Sequence, residues 1–374
     1  MKRICCVLAL CLMLSGCGPV LGSSYVSIQP HEDQGGSAQS DTITASDYRT
    51  LCDVLEGLVS MGTERAVIIV GDYNQNKVAA DMETAVRYIS DSYPLGAYAV
   101  EAVSYEIGLS GGVPAVSINI SYLHGRSELL RIQTVADMDA AADKIGGALA
   151  DCDTGLVLLV AEYEEIDLAQ LVADYADQNP HIVMETPQVA AGLYPETGDS
   201  RVVELNFTYQ NSRDALRQMR SQVQPVFSAA TLYVSGDGSE LQKYYQLYAF
   251  LMERYDYTLE TSITPSYSLL RHGVGDSKAF ATVYSAMCRQ AGLECMTITG
   301  TRGGEPWYWN MVYDEGYYYH VDLLRSSSAG RFREMTDMKM TGYVWDYSAY
   351  PEAAGQYVPP AESEDPTEHA EEPA

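Results

Sequence analysis

Basic side chains are in short supply in this 374-residue chain: 23 Lys and Arg stand against 51 Asp and Glu, a formal net charge of −28. Such an excess repels polyphosphate and leaves no electrostatic footprint for DNA or RNA, so no nucleic-acid partner is expected. Phenylalanine and tryptophan are scarce too, at five and three residues, whereas tyrosine reaches 29. Aromatic contact must then come mainly from rings that keep one polar end wet, which suits surfaces and grooves. No apolar run approaches the ~20 residues needed to span a bilayer. No Cys-x-x-Cys pair occurs. Four of the eight cysteines lie within the first 17 residues, and Cys52, Cys152, Cys288 and Cys295 are scattered. That spacing argues against zinc and leaves the status of a disulfide open. After the apolar stretch Ala66 to Val70, Gly71-Asp72-Tyr73-Asn74 lacks the glycines and the lysine of a nucleotide loop. No metal and no cofactor are expected. What is present is a 47% apolar fraction, enough for packed cores.

The N-terminus pairs Lys2 and Arg3 with an apolar run from Ile4 to Leu14, followed by Leu14-Ser15-Gly16-Cys17. A positive end, a short hydrophobic segment and small residues make an export signal. The last four residues resemble the lipobox of bacterial lipoproteins. That resemblance implies cleavage before Cys17, acylation of its thiol, and an extracytoplasmic protein lipid-anchored to the bacterial cell membrane; an ordinary secretory signal is the alternative. Residues 1–16 are then signal peptide and 17–46, rich in Ser, Gly, Gln and Asp, a flexible spacer. Residues 351–374, proline-rich and acidic, read as a disordered tail.

Residues 47–235 alternate strand and helix signals in a recurring order. Ala66 to Val70 is a short buried strand, Val78 to Ile89 a helix, Ala97 to Ile107 and Ala115 to Tyr122 paired strands, and Ala136 to Ala150 a helix. Leu156 to Val160, Leu168 to Asp177, His181 to Val189, Arg201 to Tyr209 and Arg213 to Ala229 repeat that order. The match of Ile118-Asn119-Ile120-Ser121-Tyr122 to Leu205-Asn206-Phe207-Thr208-Tyr209 supports a duplication. The expected fold class is α+β, with tandem β-α-β-β-α repeats at about 47–151 and 152–235. A further amphipathic helix is expected over Gly238 to Tyr255, with Leu241, Tyr245, Tyr248, Leu251 and Met252 on one face.

Residues 236–350 carry four segments in order: Gly275-Asp276-Ser277-Lys278-Ala279-Phe280-Ala281, Cys288-Arg289-Gln290-Ala291-Gly292-Leu293, Trp307-Tyr308-Trp309-Asn310 and Tyr319-His320-Val321-Asp322. Together they resemble the transglutaminase-like domains of the papain-like cysteine fold. The resemblance implies an α+β domain with a nucleophile at a helix start, a base on one strand and an orienting carboxylate on the next. It puts Ser277, Trp307 and Asp322 where that family has cysteine, histidine and aspartate. A serine hydroxyl is far harder to ionise than a thiol, whose ordinary pKa is ~8.5, and needs a base within reach. Indole donates a hydrogen bond and cannot accept a proton. No family triad is therefore intact.

Each residue has a second reading. Ser277, preceded by Asp276, suits the cap of a helix. Trp307 fills or faces the former groove. Trp309 and Asn310 serve the core, and Asp322 holds a backbone N–H or the Trp307 indole. His320 lies two residues before Asp322, on one strand face by alternation, and is the candidate substitute base for a Ser277–His320–Asp322 relay. The leading expectation is a catalytically degenerate domain whose groove of Ser277, Trp307, Trp309 and Asp322 binds a peptide, a cell-wall glycan or an envelope protein. The alternatives are an acyl hydrolase or transferase using Ser277 with a non-standard base, and a purely structural envelope assembly protein.

Overall fold

The computed structural model describes residues 43–355 apart from 235 and 329–331. The signal peptide, Cys17, most of the spacer and most of the acidic tail lie outside the described residues. The described residues from Thr44 onward pack as one unit. Helix α1 (Tyr48–Ser60) comes first, started by Asp47, whose side chain accepts from the Thr50 N–H. Then follow β1 (Arg65–Ile69), α2 (Val78–Asp91), α3 (Pro94–Ala99) and the hairpin β2 (Val100–Ser110) and β3 (Val113–Tyr122). Gly111 and Gly112 both hold positive φ in the hairpin's two-residue turn, a backbone state that favours glycine. After α4 (Arg126–Leu129) and β4 (Gln133–Val135), a second set follows: α5 (Met138–Asp151), β5 (Gly155–Val160), α6 (Leu168–Gln178), β6 (Gln188–Tyr194) and β7 (Arg201–Thr208).

The two halves share a strand order. The first sheet has strand order β1-β3-β2, the second β4-β5-β7-β6, so the core three strands of each run in the same order. Asn119 lies opposite Arg65 in one and Asn206 opposite Gly155 in the other. The order strand, helix, two strands, helix holds in each half, as β1-α2-β2-β3-α5 and β5-α6-β6-β7-α7, and α1, capped by Asp47 as α5 is by Asp137, precedes the first. The strand-first reading left α1 out, although Leu51, Leu55, Leu58 and Val59 form its buried face. Two other expectations shift. Residues 94–99 are helical before β2 starts, and β6 begins only at Gln188, directly after Pro187, which cannot donate to a sheet ladder.

The two sheets meet through α3: Tyr98 and Ala99 pack with Leu129 and with Val202 on the sheet face away from α5 and α6. A long helix α7 (Arg213–Tyr233) then leads to α8 (Glu240–Met252). The expected boundary at residue 235 falls inside one apolar core, since Leu216, Val223 and Phe227 of α7 pack with Tyr244, Leu247 and Leu251 of α8. The apolar face of α8 is also rotated from the expected one. Leu241 and Tyr245 are exposed, while Tyr244 is fully buried and donates its hydroxyl to the Glu294 and Tyr313 carbonyls at 2.7 and 2.9 Å.

The last part contains β8 (Asp256–Tyr257), α9 (Pro265–Tyr267), β9 (Val274–Gly275), α10 (Ser277–Gln290), β10 (Cys295–Arg302), β11 (Glu305–Asp314), β12 (Tyr317–Val321), α11 (Leu323–Ser328) and β13 (Tyr343–Trp345). Strands β12-β11-β10-β13 make an antiparallel sheet with α10 against it. Every residue of α10 from Ala279 to Cys288 is buried, as expected of a helix enclosed on all sides. A second cluster, Ile298, Trp309, Met311, Met335, Met340, Tyr343 and Trp345, is separate from the core that holds α10. All four described cysteines are buried free thiols.

Candidate functional site

The site is built where the start of α10 meets β11. Asp276 is the capping residue, accepting the Ala279 N–H at 2.9 Å, so Ser277 is the first helical residue and not the cap itself. Ser277 is 7% exposed, and its Oγ accepts the Tyr308 N–H at 3.3 Å. Lys278 fixes the helix from outside by pairing with Asp177 of α6 at 2.8 Å. Burial pushes the Asp177 carboxyl up, against the opposing pull of that ammonium.

Asp322 lies just past the end of β12 and is 1% exposed. Its Oδ1 accepts the Leu324 and Arg325 N–H groups at 3.0 and 3.1 Å, which holds the first turn of α11. Its Oδ2 accepts the Trp307 Nε1–H at 3.0 Å, the Tyr343 hydroxyl at 2.5 Å and Arg302 at 3.4 Å. Both expected partners, a backbone N–H and the indole, are there. Burial, with the Asp322 charge behind it, pushes the Tyr343 phenol up, so it stays a donor. The Arg302 guanidinium lies 4.9 Å from the Trp307 ring centre and Tyr257 5.8 Å from it.

His320 is not a substitute base. It is fully buried, with Nδ1 accepting from Trp309 Nε1–H at 2.9 Å and Nε2 at 2.7 Å from Asp337 Oδ1. Indole only donates, so Nδ1 is the acceptor and Nε2 carries the proton. In register His320 faces Met311 and therefore shares the sheet side of Trp309, whereas Asn310 beside them turns to α10 and donates to the Ala281 carbonyl at 2.8 Å. The alternation that put His320 and Asp322 on one face ends with β12 at Val321, where the chain turns into α11. The Ser277–His320–Asp322 relay does not assemble.

The expected groove is also filled at these residues. Trp309 packs edge-on against Tyr343 and Trp345 in the second cluster. A Cβ on Gly300, opposite Trp307, would collide with the Val344 carbonyl and the Trp309 indole, so β13 and Trp309 sit tight against β10. Between Ser277, Tyr308, Asn310 and Asp322 only about 150 Å³ of empty space remains, too narrow for a water molecule. Among the described residues no group of His, Cys, Asp and Glu is arranged to hold a metal ion, and no helix is long and apolar enough to cross a membrane. Reading the sequence missed Arg302, Tyr343 and Asp337, which reach the site from β10, β13 and the segment between β12 and β13. No local motif marks them, because only the sheet pairing brings them in.

Residues 228–323 match the Transglutaminase-like superfamily, and the chain thus carries a transglutaminase-like domain. No curated protein matches the chain. Among solved structures, one described as a TGase is similar at 12% identity, covering 45% of this chain and 50% of that one, with a TM-score of 0.26. A proposed cysteine protease from Cytophaga hutchinsonii is similar at 11% identity over 42% of this chain and 70% of that one, TM-score 0.26. A proposed protease from Parabacteroides distasonis is similar at 9% identity over 59% and 35%, TM-score 0.23. The chain spans about half the length of the first of these. Likenesses at this level carry no argument about activity.

Proposed function

We propose that this protein is a lipid-anchored bacterial envelope protein whose transglutaminase-like domain binds a partner protein without catalysing acyl transfer. The observation that carries the reading is the 3.0 Å bond from the Trp307 indole to Asp322. It occupies the carboxylate that would orient an imidazole with a group that cannot take a proton. Ser277 adds a hydroxyl already accepting a backbone N–H, with no base among its bonded neighbours. The narrow gap favours a partner docked on the rim over a peptide or glycan threaded inward. That rim presents the exposed Tyr257 against Trp307, over which Arg302 is also stacked.

The test is labelling with a serine-directed acylating probe, read by mass spectrometry. The expected result is no adduct on Ser277. An adduct there, abolished by Ser277→Ala, would restore an enzyme to contention.

A further inference from the structure

The strand edges of this protein are treated unequally. A bare edge offers unpaired N–H and C=O groups to any other chain, and folded proteins normally blunt it. Here β1 is bridged by Thr44 at Ile69, and β12 by Met335 at His320. Strands β4 and β13 are only three residues long. Strand β6 has seven residues and lies between Pro187 and Pro195. Its counterpart in the first repeat, β2, has eleven residues, no proline and no lysine, and it is the outermost strand of its sheet.

The sheet pairing shows which groups of β2 point outward. Val70 N–H donates to the Pro114 carbonyl and Ile120 N–H to the Glu64 carbonyl, so the even-numbered residues of β3 bond toward β1. The odd-numbered ones then bond toward β2, to partners Ala102, Ser104, Glu106, Gly108 and Ser110. The backbone groups of Val103, Tyr105, Ile107 and Leu109 face away from the sheet. Among the described residues no backbone bond from elsewhere reaches them. Ile107 and Leu109 are also 46% and 74% exposed.

We propose that β2 pairs antiparallel with β2 of a second copy, joining two three-stranded sheets into one of six. The strand is self-complementary for this. A twofold axis at Tyr105, the midpoint of β2, gives full overlap and sets outward groups against outward groups. Val103 then faces Ile107 of the second copy, Glu101 faces Leu109, and Glu106 faces Ser104. No carboxylate lies directly opposite another, which an axis at Glu106 would cause. The two chains, each at −28, repel at long range, so the dimer tightens as salt screens them. This inference uses no property of the transglutaminase-like domain.

The experiment is sedimentation velocity on the full chain in detergent over about a hundredfold range of concentration, at low and high salt. Wild type is expected to shift from monomer to dimer with concentration, and further at high salt. Ile107→Lys places a charge at the seam, and Tyr105→Pro removes one outward donor while leaving the bonds to β3. Both variants are expected to stay monomeric with the wild-type circular dichroism spectrum. Ile107 is a surface residue, so its variant stands as the test if the proline variant misfolds. A wild-type chain that remains monomeric at the highest concentration and salt overturns the proposal, as does a folded Ile107→Lys variant that dimerises like wild type.

Discussion

Replacing Asp322 by alanine removes one buried carboxylate on which five donors converge: two backbone N–H groups, the Trp307 indole, the Tyr343 hydroxyl and Arg302. Arg302 contributes little to the cost, since its side chain is 37% exposed and can turn to water. The Trp307 and Tyr343 bonds are charge-assisted and inside the protein, worth roughly 1.5–3 kcal/mol each before relaxation. Losing the two backbone contacts at the start of α11 costs about 1 kcal/mol, as for a helix cap. Allowing for partial relaxation, Asp322→Ala should lower unfolding stability by roughly 3–5 kcal/mol. Asp322→Asn keeps one oxygen for the backbone and aims its NH2 at the indole, so it should cost roughly half as much. Urea titration followed by tryptophan fluorescence gives both values, with far-ultraviolet circular dichroism to confirm a native starting state. A folded Ala variant within about 1 kcal/mol of wild type would refute the reasoning, because the carboxylate would then not organise the junction of β10, β11, β13 and α11.

Three other outcomes are expected. The pair Ser277→Cys and Trp307→His should create a thiol that reacts with iodoacetamide faster than Ser277→Cys alone, because an imidazole lowers a neighbouring thiol's pKa; equal rates would show that the site's geometry no longer serves that pair. Stability near neutral pH should reflect two opposed groups. Burial holds His320 below its ordinary 6.5, so its contribution is complete above 6.5 and is lost as pH falls below it. Burial, with Asp314 and Glu315 nearby, pushes Glu334 from 4.5 up to about 7, so its contribution is complete below 4.5 and is lost as pH rises to about 7. Glu334→Gln should therefore gain stability relative to wild type as pH rises through that window, by at most about 1.4 kcal/mol per pH unit, and parallel curves would contradict this. Finally, Cys17→Ala should move the protein from the membrane fraction to the soluble one, and retention in membranes would reject the lipid anchor.

Much of the first half was legible because its elements are local. The five-residue match between β3 and β7 pointed to a duplication, and the common strand order supports it. What periodicity could not supply was the rotation of α8. Tyrosine at 244 and 245 offers the same ring twice, and the choice depends on the Glu294 and Tyr313 carbonyls that receive the Tyr244 hydroxyl. The domain limit at 235 failed to anticipate the shared core for a related reason. A change of composition marks where a linker could lie, while the apolar face of α7 is satisfied by α8 and α10 on the far side of it.

At the site, the residue types at 277, 307 and 322 were legible, but not the contacts they make. A buried carboxylate such as Asp322 costs several kcal/mol if left without a partner. Trp307 answers that cost directly: its indole supplies an N–H where an imidazole would, and Tyr343 and Arg302 add two more donors to the same oxygen. Arg302 also lies over the indole face, so the ring is held from above as well as from the edge. These contacts set a fixed group of donors around one acceptor. Neither the indole nor the guanidinium in that set can accept a proton, so neither serves as the base a relay requires. The donor-only indole at 307 and the density of donors at 322 are thus one arrangement, and any other side chain at 307 would have to satisfy the same oxygen.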